Sequence, residues 1–266
     1  MTENVAVMNE TEEKVAQALF EAYQTHKPLN MADYADVLKD DAAAYRVQAK
    51  LTALKQQAVG GYKVSLTSGE TQKMFAADEP LYGAQVQDHF LKSPAHLAMK
   101  DVMAPLVEVE LVFKAMSDLD KSDSLEDLLH KTTVAPGVEV PDARFKNWFP
   151  DLPKHLVMAD AAVGGYVVYG NEVNADHFTV AELAEVTCEL FHDDHKLKDG
   201  QASEVLGNPL NSLKWLVDKL ASQGKQLTAG QRVSTGTFLL PVDLTLGHWQ
   251  ANFSHDLGTV SVTLDK

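Results

Sequence analysis

The chain has 266 residues, 45% of them hydrophobic, and its 23 basic against 38 acidic residues give a formal net charge of −15. The apolar content is sufficient for a packed core and excludes a disordered chain. A negative field of this size repels phosphate backbones and anionic membranes, so we expect no nucleic-acid and no membrane partner. Cys188 is the only cysteine, and the N-terminus has no signal-peptide pattern. Both features favour a cytoplasmic protein.

The first 60 residues have a helical pattern. The polar residues 1–9 predict no regular structure, after which Asn9 and Glu12 have the spacing of a capping box. The helix that begins there ends by Pro28. A second helix is predicted near Asp40–Ala58, before the glycine pair at 60–61.

Residues 61–266 are richer in β patterns. Alternating or β-branched apolar runs predict strands at Tyr62–Ser68, Leu106–Phe113, Pro136–Val140, Leu156–Tyr169 (buried, with a bend), Trp249–Phe253 and Val260–Leu264. The acidic segment Ser117–Glu126 predicts a loop before a short helix, Pro209–Ser222 predicts a helix, and Thr179–Leu190 fits either a strand or a helix. We therefore predict one α+β domain over 1–266, with a helical region at 1–60 and a β-rich body at 61–266.

Two glutamates stand two positions apart on one predicted strand. In Val107-Glu108-Val109-Glu110-Leu111, both acids project from the same face of the strand. Side-by-side carboxylates repel each other unless water or a cation lies between them, so they could form half of a site for Mg²⁺ or Mn²⁺. The alternative is an ordinary strand with one solvated acidic face.

Two further charged residues lie in apolar surroundings. Glu139 stands between valines shortly before a proline, an unusual place for a solvated charge, and Asp142 and Arg144 nearby could form an ion pair. Lys63 begins a strand, where it is either a surface residue with a buried stem or a buried cation facing carboxylates. In the second case its pKa would shift, and the residue could exchange protons.

Other motifs give weaker signals. The sequence His192-Asp-Asp-His195 contains metal-ligand residue types, but its charged surroundings favour a solvated loop. Cys188 lies among apolar residues and has no neighbouring base, which favours a buried, unreactive thiol. The glycines match neither a dinucleotide-binding nor a P-loop motif, and no Gly-x-Ser-x-Gly elbow occurs.

Taken together, the motifs resemble the 2-keto-4-pentenoate hydratase family of the fumarylacetoacetate hydrolase superfamily. The matching segments, in order from about residue 41 to the C-terminus, are GYKVSLTS, TQ, DEPLYG, VEVELVF, GVEVPDARFKNW, GNPLNSLKWL, LTAGQRVSTGT and LGTVSV. Each motif alone is modest, but the ordered set is specific.

The resemblance implies a rolled mixed β-sheet with helices at the N-terminus and periphery, and a homo-oligomer. It also implies a divalent metal, Mg²⁺ or Mn²⁺, held by Glu108, Glu110 and Glu139, with Lys63 as the catalytic residue. Ser68 and Gln72 would bind the substrate, a 2-oxo or 2-hydroxydienoic acid. The metal and lysine positions are those that the residue patterns already suggest.

The function implied is a metal-dependent hydratase (a lyase) that converts a 2-hydroxy-2,4-dienoate into a 4-hydroxy-2-oxo acid during catabolism of aromatic meta-cleavage products. One alternative is decarboxylation of a 4-oxalocrotonate-type 2-oxo-3-enedioate. Carbon–carbon bond hydrolysis of an acylpyruvate is less well supported, because we find no convincing His–Glu pair near the N-terminal side of the site. The remaining alternative is a non-catalytic structural subunit in complex with a partner enzyme of the pathway.

The chain departs from the family pattern in two places. Family members usually have Asp-Asn and then small hydroxyl residues where this chain reads Asp160-Ala-Ala-Val-Gly164, and Ser65 replaces a common glycine. The metal ligands are retained while polar residues of the surroundings are lost. The departure therefore leaves the choice between hydratase and decarboxylase, and the identity of the substrate, open.

Overall fold

A computed structural model describes residues 8–266, so the prediction for the polar N-terminus lies almost wholly outside the described residues. The seven α-helices of this part of the chain are α1 Glu10–Thr25, α2 Asp41–Leu54, α3 Gly69–Met74, α4 Leu125–His130, α5 Lys154–Ala159, α6 Val180–Glu185 and α7 Pro209–Ser222. None of the described helices combines the length and the apolar character that a membrane span requires.

The strands form two sheets. They are β1 Val59–Ser65, β2 Leu81–Val86, β3 Phe90–Lys92, β4 Ala95–Ala98, β5 Leu106–Ala115, β6 Thr132–Val140, β7 Tyr166–Tyr169, β8 Val173–Asn174, β9 Thr187–His192, β10 His195–Gln201, β11 Arg232–Ser234, β12 Val242–Asp243, β13 Gly247–Phe253 and β14 Gly258–Asp265. A nine-stranded mixed sheet has the order β2-β1-β11-β5-β6-β7-β3, with β12 beside β5 and β8 beside β6. The second sheet has the order β10-β9-β13-β14-β4.

The N-terminal helices form as their sequence predicts. Asn9 caps α1 by accepting a hydrogen bond from the backbone N–H of Glu12, and its own amide donates to the Glu12 side chain. Asp40 caps α2 by accepting a hydrogen bond from the backbone N–H of Ala43. Arg46 of α2 donates two hydrogen bonds to Glu12, which fixes α1 against α2.

The long strands β5 and β6 run through the middle of the larger sheet and position the acidic residues. They pair in antiparallel register, so that Glu108 lies directly opposite Glu139 and Glu110 lies opposite Gly137. β5 confirms the strand predicted at Leu106–Phe113, and β6 extends the one predicted at Pro136–Val140. On their other face the strands bury apolar side chains in the main core.

Two strand predictions need correction, and one ambiguous segment is resolved. Leu156–Tyr169 is not one bent strand: its first part is helix α5 and its last part is β7. A fully buried helix and a fully buried strand both appear in a sequence as runs of apolar residues. Composition alone therefore does not distinguish one from the other. The strand predicted at Tyr62–Ser68 ends at Ser65, because Ser68 instead caps α3. The ambiguous segment Thr179–Leu190 contains both α6 and the start of β9.

The predicted ion pair between Asp142 and Arg144 is also wrong. The Arg144 guanidinium pairs with Asp160, and the backbone N–H of Arg144 donates to the same carboxylate at 2.8 Å. Asp142 accepts hydrogen bonds from the backbone N–H groups of Met103 and Ala104 at 2.9 and 2.7 Å. Arg144 and Asp160 are both fully buried, so each charge depends on the other.

We expect Arg144→Met to lower the free energy of unfolding by about 3–5 kcal/mol, because it leaves the Asp160 carboxylate buried without its partner. Urea denaturation monitored by circular dichroism measures the change. Lys14→Met is the control, since Lys14 pairs with Glu10 on the exposed face of α1 and its removal should cause no measurable change. Equal stability of Arg144→Met and wild type would contradict the role given to this pair.

Candidate active site

Three glutamates meet on one face of the β5–β6 pair. One carboxylate oxygen from each of Glu108, Glu110 and Glu139 lies within 4.8 Å of the others. Among residues 8–266, this is the only group of three or more His, Cys, Asp or Glu side chains that could surround a metal ion. Glu110 and Glu139 are 1% exposed, whereas Glu108 is partly exposed.

Lys63 faces this cluster from β1. Its ammonium contacts a carboxylate oxygen of Glu139, and the residue is 1% exposed. β1 reaches the cluster through β11, which pairs in parallel with β1 and antiparallel with β5. Of the two interpretations of Lys63, the structure has the buried cation facing carboxylates.

Glu110 is held by the segment that follows β11. Its Oε2 accepts hydrogen bonds from Ser234 Oγ at 2.6 Å and from the backbone N–H of Gly236 at 2.7 Å. Its other oxygen, Oε1, and Oε2 of Glu139 have no hydrogen-bond partner among the described residues, although both are buried. They belong to two of the three glutamates whose carboxylates meet in this cluster.

The electrostatics of the cluster are unfavourable when it holds no cation. Burial raises the pKa of Glu108 to about 7, an effect that Lys63 opposes and Glu139 reinforces. Burial and the two neighbouring carboxylates raise the pKa of Glu110 well above its usual range. Burial lowers the pKa of Lys63, but Glu139 and Glu108 outweigh it, so that the net shift is upward and Lys63 keeps its proton.

These residues fit a divalent cation. Three carboxylates and one ammonium carry a charge of −3 + 1 = −2, which a dipositive ion would neutralise. The free carboxylate oxygens are the hard donors that Mg²⁺, Mn²⁺ and Ca²⁺ prefer. The residues that could hold the ion are Glu108, Glu110 and Glu139, with further positions left for water or an oxygen ligand.

A pocket opens above Lys63, Glu108 and Glu110, and the rest of its wall is mainly apolar. The wall consists of residues from β1 and the following turn, α3, α5 and three loops: Val64–Ser68, Thr71, Met74, Phe75, Pro141, Trp148, Phe149, Val157, Val163, Gly236, Thr237, Leu240 and Pro241. The charged groups thus lie at one end of a hydrophobic chamber, an arrangement typical of small-molecule sites.

The departure from the family pattern lies beside this pocket. Ala161, Ala162 and Val163 all have left-handed backbone angles, with φ of 53°, 55° and 51°. Such angles are costly for side chains with a Cβ, and most of all for valine. The turn is held from outside by Gln85, whose amide donates to the Ala161 carbonyl, and by Arg144, which donates to the Gly164 carbonyl.

Of the two predicted substrate-binding residues, one lies in the pocket wall and the other lies outside it. Ser68 lines the pocket while its hydroxyl caps α3. The Gln72 amide donates to the Leu66 carbonyl at 3.0 Å and so secures the turn that follows β1. Gln72 is not part of the pocket wall, and a direct role in substrate binding stays a prediction for both residues.

Sequence reasoning missed Ser234 and Gly236, which hold Glu110, and the apolar wall residues Trp148, Phe149 and Leu240. The first four lie within the family-like segments VSTGT and GVEVPDARFKNW or directly after the latter. Their position in matching segments was the available signal, but nothing local in the sequence shows that they face the glutamates.

The remaining candidates take no part in the pocket. His192 stacks on Trp249 with ring centroids 4.2 Å apart, and Asp193 accepts a hydrogen bond from the His248 backbone, so both stabilise the β9–β10 hairpin. Cys188 is a buried free thiol whose pKa is raised to about 12 by burial. A thiol of that pKa is unreactive near neutral pH.

Comparison with known structures defines the class of fold. The chain superimposes on 4-oxalocrotonate decarboxylase from Pseudomonas putida G7, complexed with magnesium and adipate, with a TM-score of 0.88 and 22% identity, covering 97% of this chain and 99% of that one. It also matches fumarylpyruvate hydrolase from Pseudomonas aeruginosa, in complex with Mn²⁺ and pyruvate, with a TM-score of 0.59 and 17% identity over 77% and 88% of the two chains. These neighbours confirm the predicted fumarylacetoacetate hydrolase fold.

Comparison of sequences identifies the relatives. The chain is 29% identical to 2-oxo-hept-4-ene-1,7-dioate hydratase of Escherichia coli, over 88% of this chain and 90% of that protein. It is 28% identical to 2-keto-4-pentenoate hydratase of Burkholderia vietnamiensis, over 84% and 86%. No protein-family model matches. The predicted resemblance to 2-keto-4-pentenoate hydratases is confirmed, and with it the predicted lyase class, since hydratases are hydro-lyases.

We expect Gly83→Ala to lower the free energy of unfolding by about 2–3 kcal/mol, through overpacking that displaces the 160–164 turn. A Cβ on Gly83 would overlap the carbonyl of Ala161, which the backbone cannot easily move. Gly69→Ala is the control, because a Cβ there meets nothing within 4 Å. Urea titration of both variants measures the difference, and an unperturbed Gly83→Ala would show that the turn is not rigid.

Proposed function

We propose that this protein is a divalent-metal-dependent hydratase that adds water to a 2-hydroxy-2,4-dienoate and releases a 4-hydroxy-2-oxo acid. The observation that carries the proposal is the buried cluster of Glu108, Glu110 and Glu139 against Lys63, at the charged end of an apolar pocket. The hydratase names of the relatives, at 28–29% identity over most of the chain, support the reaction class.

In this proposal Glu108, Glu110 and Glu139 hold Mg²⁺ or Mn²⁺. The bound ion supplies Lewis acidity towards the carboxylate and 2-oxygen of the substrate. Metal complexes of structural neighbours and the hard oxygen donors support a divalent ion, and the donor set suits Mg²⁺ and Mn²⁺ equally.

Lys63 acts on the 2-oxygen. Since Glu139 and Glu108 keep its ammonium protonated, Lys63 can donate a hydrogen bond to the enolate oxygen that develops when the 2-hydroxyl loses its proton. Ketonisation places a proton on C5 and leaves a 2-oxo-3-enoate. Water then adds its oxygen to C4 and a proton to C3, so the net change is the gain of one H₂O. The apolar wall excludes bulk water from the conjugated chain.

The rival reactions have less support in the pocket. Hydrolysis of a carbon–carbon bond needs a base that activates water, and no histidine is among the described residues of the pocket wall. Decarboxylation of a 2-oxo-3-enedioate could use the same glutamates and lysine, and one structural neighbour is a decarboxylase. At 22% identity that likeness shows the fold alone.

We expect the magnesium-loaded protein to convert 2-hydroxypenta-2,4-dienoate into 4-hydroxy-2-oxopentanoate, and Lys63→Met to reduce kcat at least about 100-fold. Proton NMR follows the product. Lys114→Met is the control, because Lys114 pairs with Glu172 away from the pocket. An unchanged dienoate would refute the hydratase proposal. Release of CO₂ from 4-oxalocrotonate would then establish the decarboxylase, and inertness towards both would favour a structural subunit.

We expect Mg²⁺ or Mn²⁺ at about 100 times its Kd to raise the Tm of the metal-free protein by about 5 °C or more. Glu110→Gln should abolish this shift while retaining an oxygen that accepts from Ser234 and Gly236. Differential scanning fluorimetry measures both. Glu189→Gln, on β9, should keep the full shift, and a full shift in Glu110→Gln would remove Glu110 from the metal site.

A further inference from the structure

We infer that the pocket selects substrates whose far end, beyond C5 of the dienoate, is an uncharged apolar substituent, and that it rejects a second carboxylate at that end. The inference rests on the proposed function in one respect, namely that the 2-oxo acid head lies at Lys63 and the glutamates. It goes beyond that function because the relatives include a hydratase named for a dicarboxylate.

The first observation is the composition of the pocket mouth. Met74, Phe149 and Leu240 line the pocket and are nevertheless 41%, 36% and 39% exposed. Only four other large hydrophobic side chains of the described residues are comparably exposed. A cluster of exposed apolar side chains around a pocket is typical of a surface that a ligand covers. An apolar substituent of a bound substrate that extends out of the pocket would cover these three side chains.

The second observation is the distribution of charge. Among the described residues of the pocket wall, Lys63 is the only lysine or arginine, and Glu139 already pairs with it. A wider groove adjoins the pocket at Ser68 and Leu240, and its charged lining residues are all acidic: Glu70, Glu189, Asp199 and Glu204. Lys196, which is not a lining residue, pairs with Glu189 and Asp199, whereas Glu70 and Glu204 form no ion pair among the described residues. A carboxylate at the far end of the substrate would therefore enter either an apolar wall or a negative groove, and both are unfavourable.

Lys198 lies close to the mouth. Lys198 Nζ donates a hydrogen bond to the Leu240 carbonyl at 2.9 Å, so its ammonium is anchored to the backbone. Lys198 is not part of the wall of either the pocket or the groove. If the inference is wrong, Lys198 is the residue that would bind the second carboxylate of a dicarboxylate. The Lys198→Met variant tests this directly.

The third observation is Val163, which extends the apolar wall of the pocket. Val163 is buried and lines the pocket next to Val157 and Trp148. A valine in a left-handed conformation is disfavoured, yet Val163 adopts one, with φ of 51°, in the pocket wall. Val163 therefore makes the inner wall apolar, as Met74, Phe149 and Leu240 make the mouth apolar.

The experiment compares ligands with the same carbon skeleton. Isothermal titration of the magnesium-loaded protein with 2-oxoheptanoate and 2-oxoheptanedioate measures binding without turnover. Hydration of 2-hydroxyhepta-2,4-dienoate and 2-hydroxyhepta-2,4-diene-1,7-dioate measures kcat/KM. We expect the monocarboxylate to be favoured by about 100-fold or more in both comparisons, because the second carboxylate would lose its water without gaining a partner.

A cationic substitution at the mouth should weaken the preference for the monocarboxylate. Leu240→Arg supplies a cation there, and we expect it to tighten binding of 2-oxoheptanedioate at least about 10-fold without tightening binding of 2-oxoheptanoate. Leu246→Arg is the matched control, since Leu246 is 40% exposed but lies outside the pocket wall. Met74→Arg serves the same purpose if Leu240→Arg does not fold.

The outcomes separate this inference from the proposed function. Equal binding or equal turnover of the two ligand types overturns the apolar selectivity but leaves the hydratase proposal intact. Binding of the dicarboxylate that is lost in Lys198→Met has the same two consequences. An unchanged preference in folded Leu240→Arg and Met74→Arg also overturns it. Selective binding of 2-oxoheptanoate without hydration of any dienoate supports the selectivity and refutes the hydratase. No binding of either 2-oxo acid together with no hydration of any dienoate refutes both.

Discussion

The repulsion among three carboxylates, two of them fully buried, is the constraint on which the rest of this structure depends. Glu108, Glu110 and Glu139 are held together by the covalent spacing of β5 and the β5–β6 register, not by their mutual energetics. Lys63 offsets part of the repulsion, and Ser234 and Gly236 each donate a hydrogen bond to Glu110 Oε2. Only a rigid sheet with a large apolar core can keep so unfavourable a group in place.

The candidate site was partly predictable because strand geometry is local. The two-residue period of β5 puts Glu108 and Glu110 on one face whatever the rest of the chain does. The position of Glu139 opposite Glu108 depends on the register of two strands separated by a long connection, which no local pattern encodes. That residue and the lysine were therefore joined to the Glu108–Glu110 pair in one site only by resemblance to a family.

The errors in the predicted fold have physical causes as well. Leu156–Tyr169 is apolar and β-branched, yet its first part is a helix because a fully buried segment has no solvent-facing side to reveal its period. Arg144 passes over the nearby Asp142 to pair with Asp160, which the turn after α5 brings close. Both mistakes come from tertiary placement, whereas α1, α7 and the C-terminal strands, each with a solvent-facing side, match their predicted positions closely.

The left-handed turn at 161–163 has a consequence for how such a pocket can change over evolution. Its backbone path is imposed by the buried Arg144–Asp160 pair, by Gln85 and by the absence of a side chain at Gly83, all of which lie outside the turn itself. The shape of the turn is thus largely independent of the side chains it carries. Substitutions within it can replace hydroxyls by methyl groups, and so alter ligand preference, without moving the glutamates or the lysine.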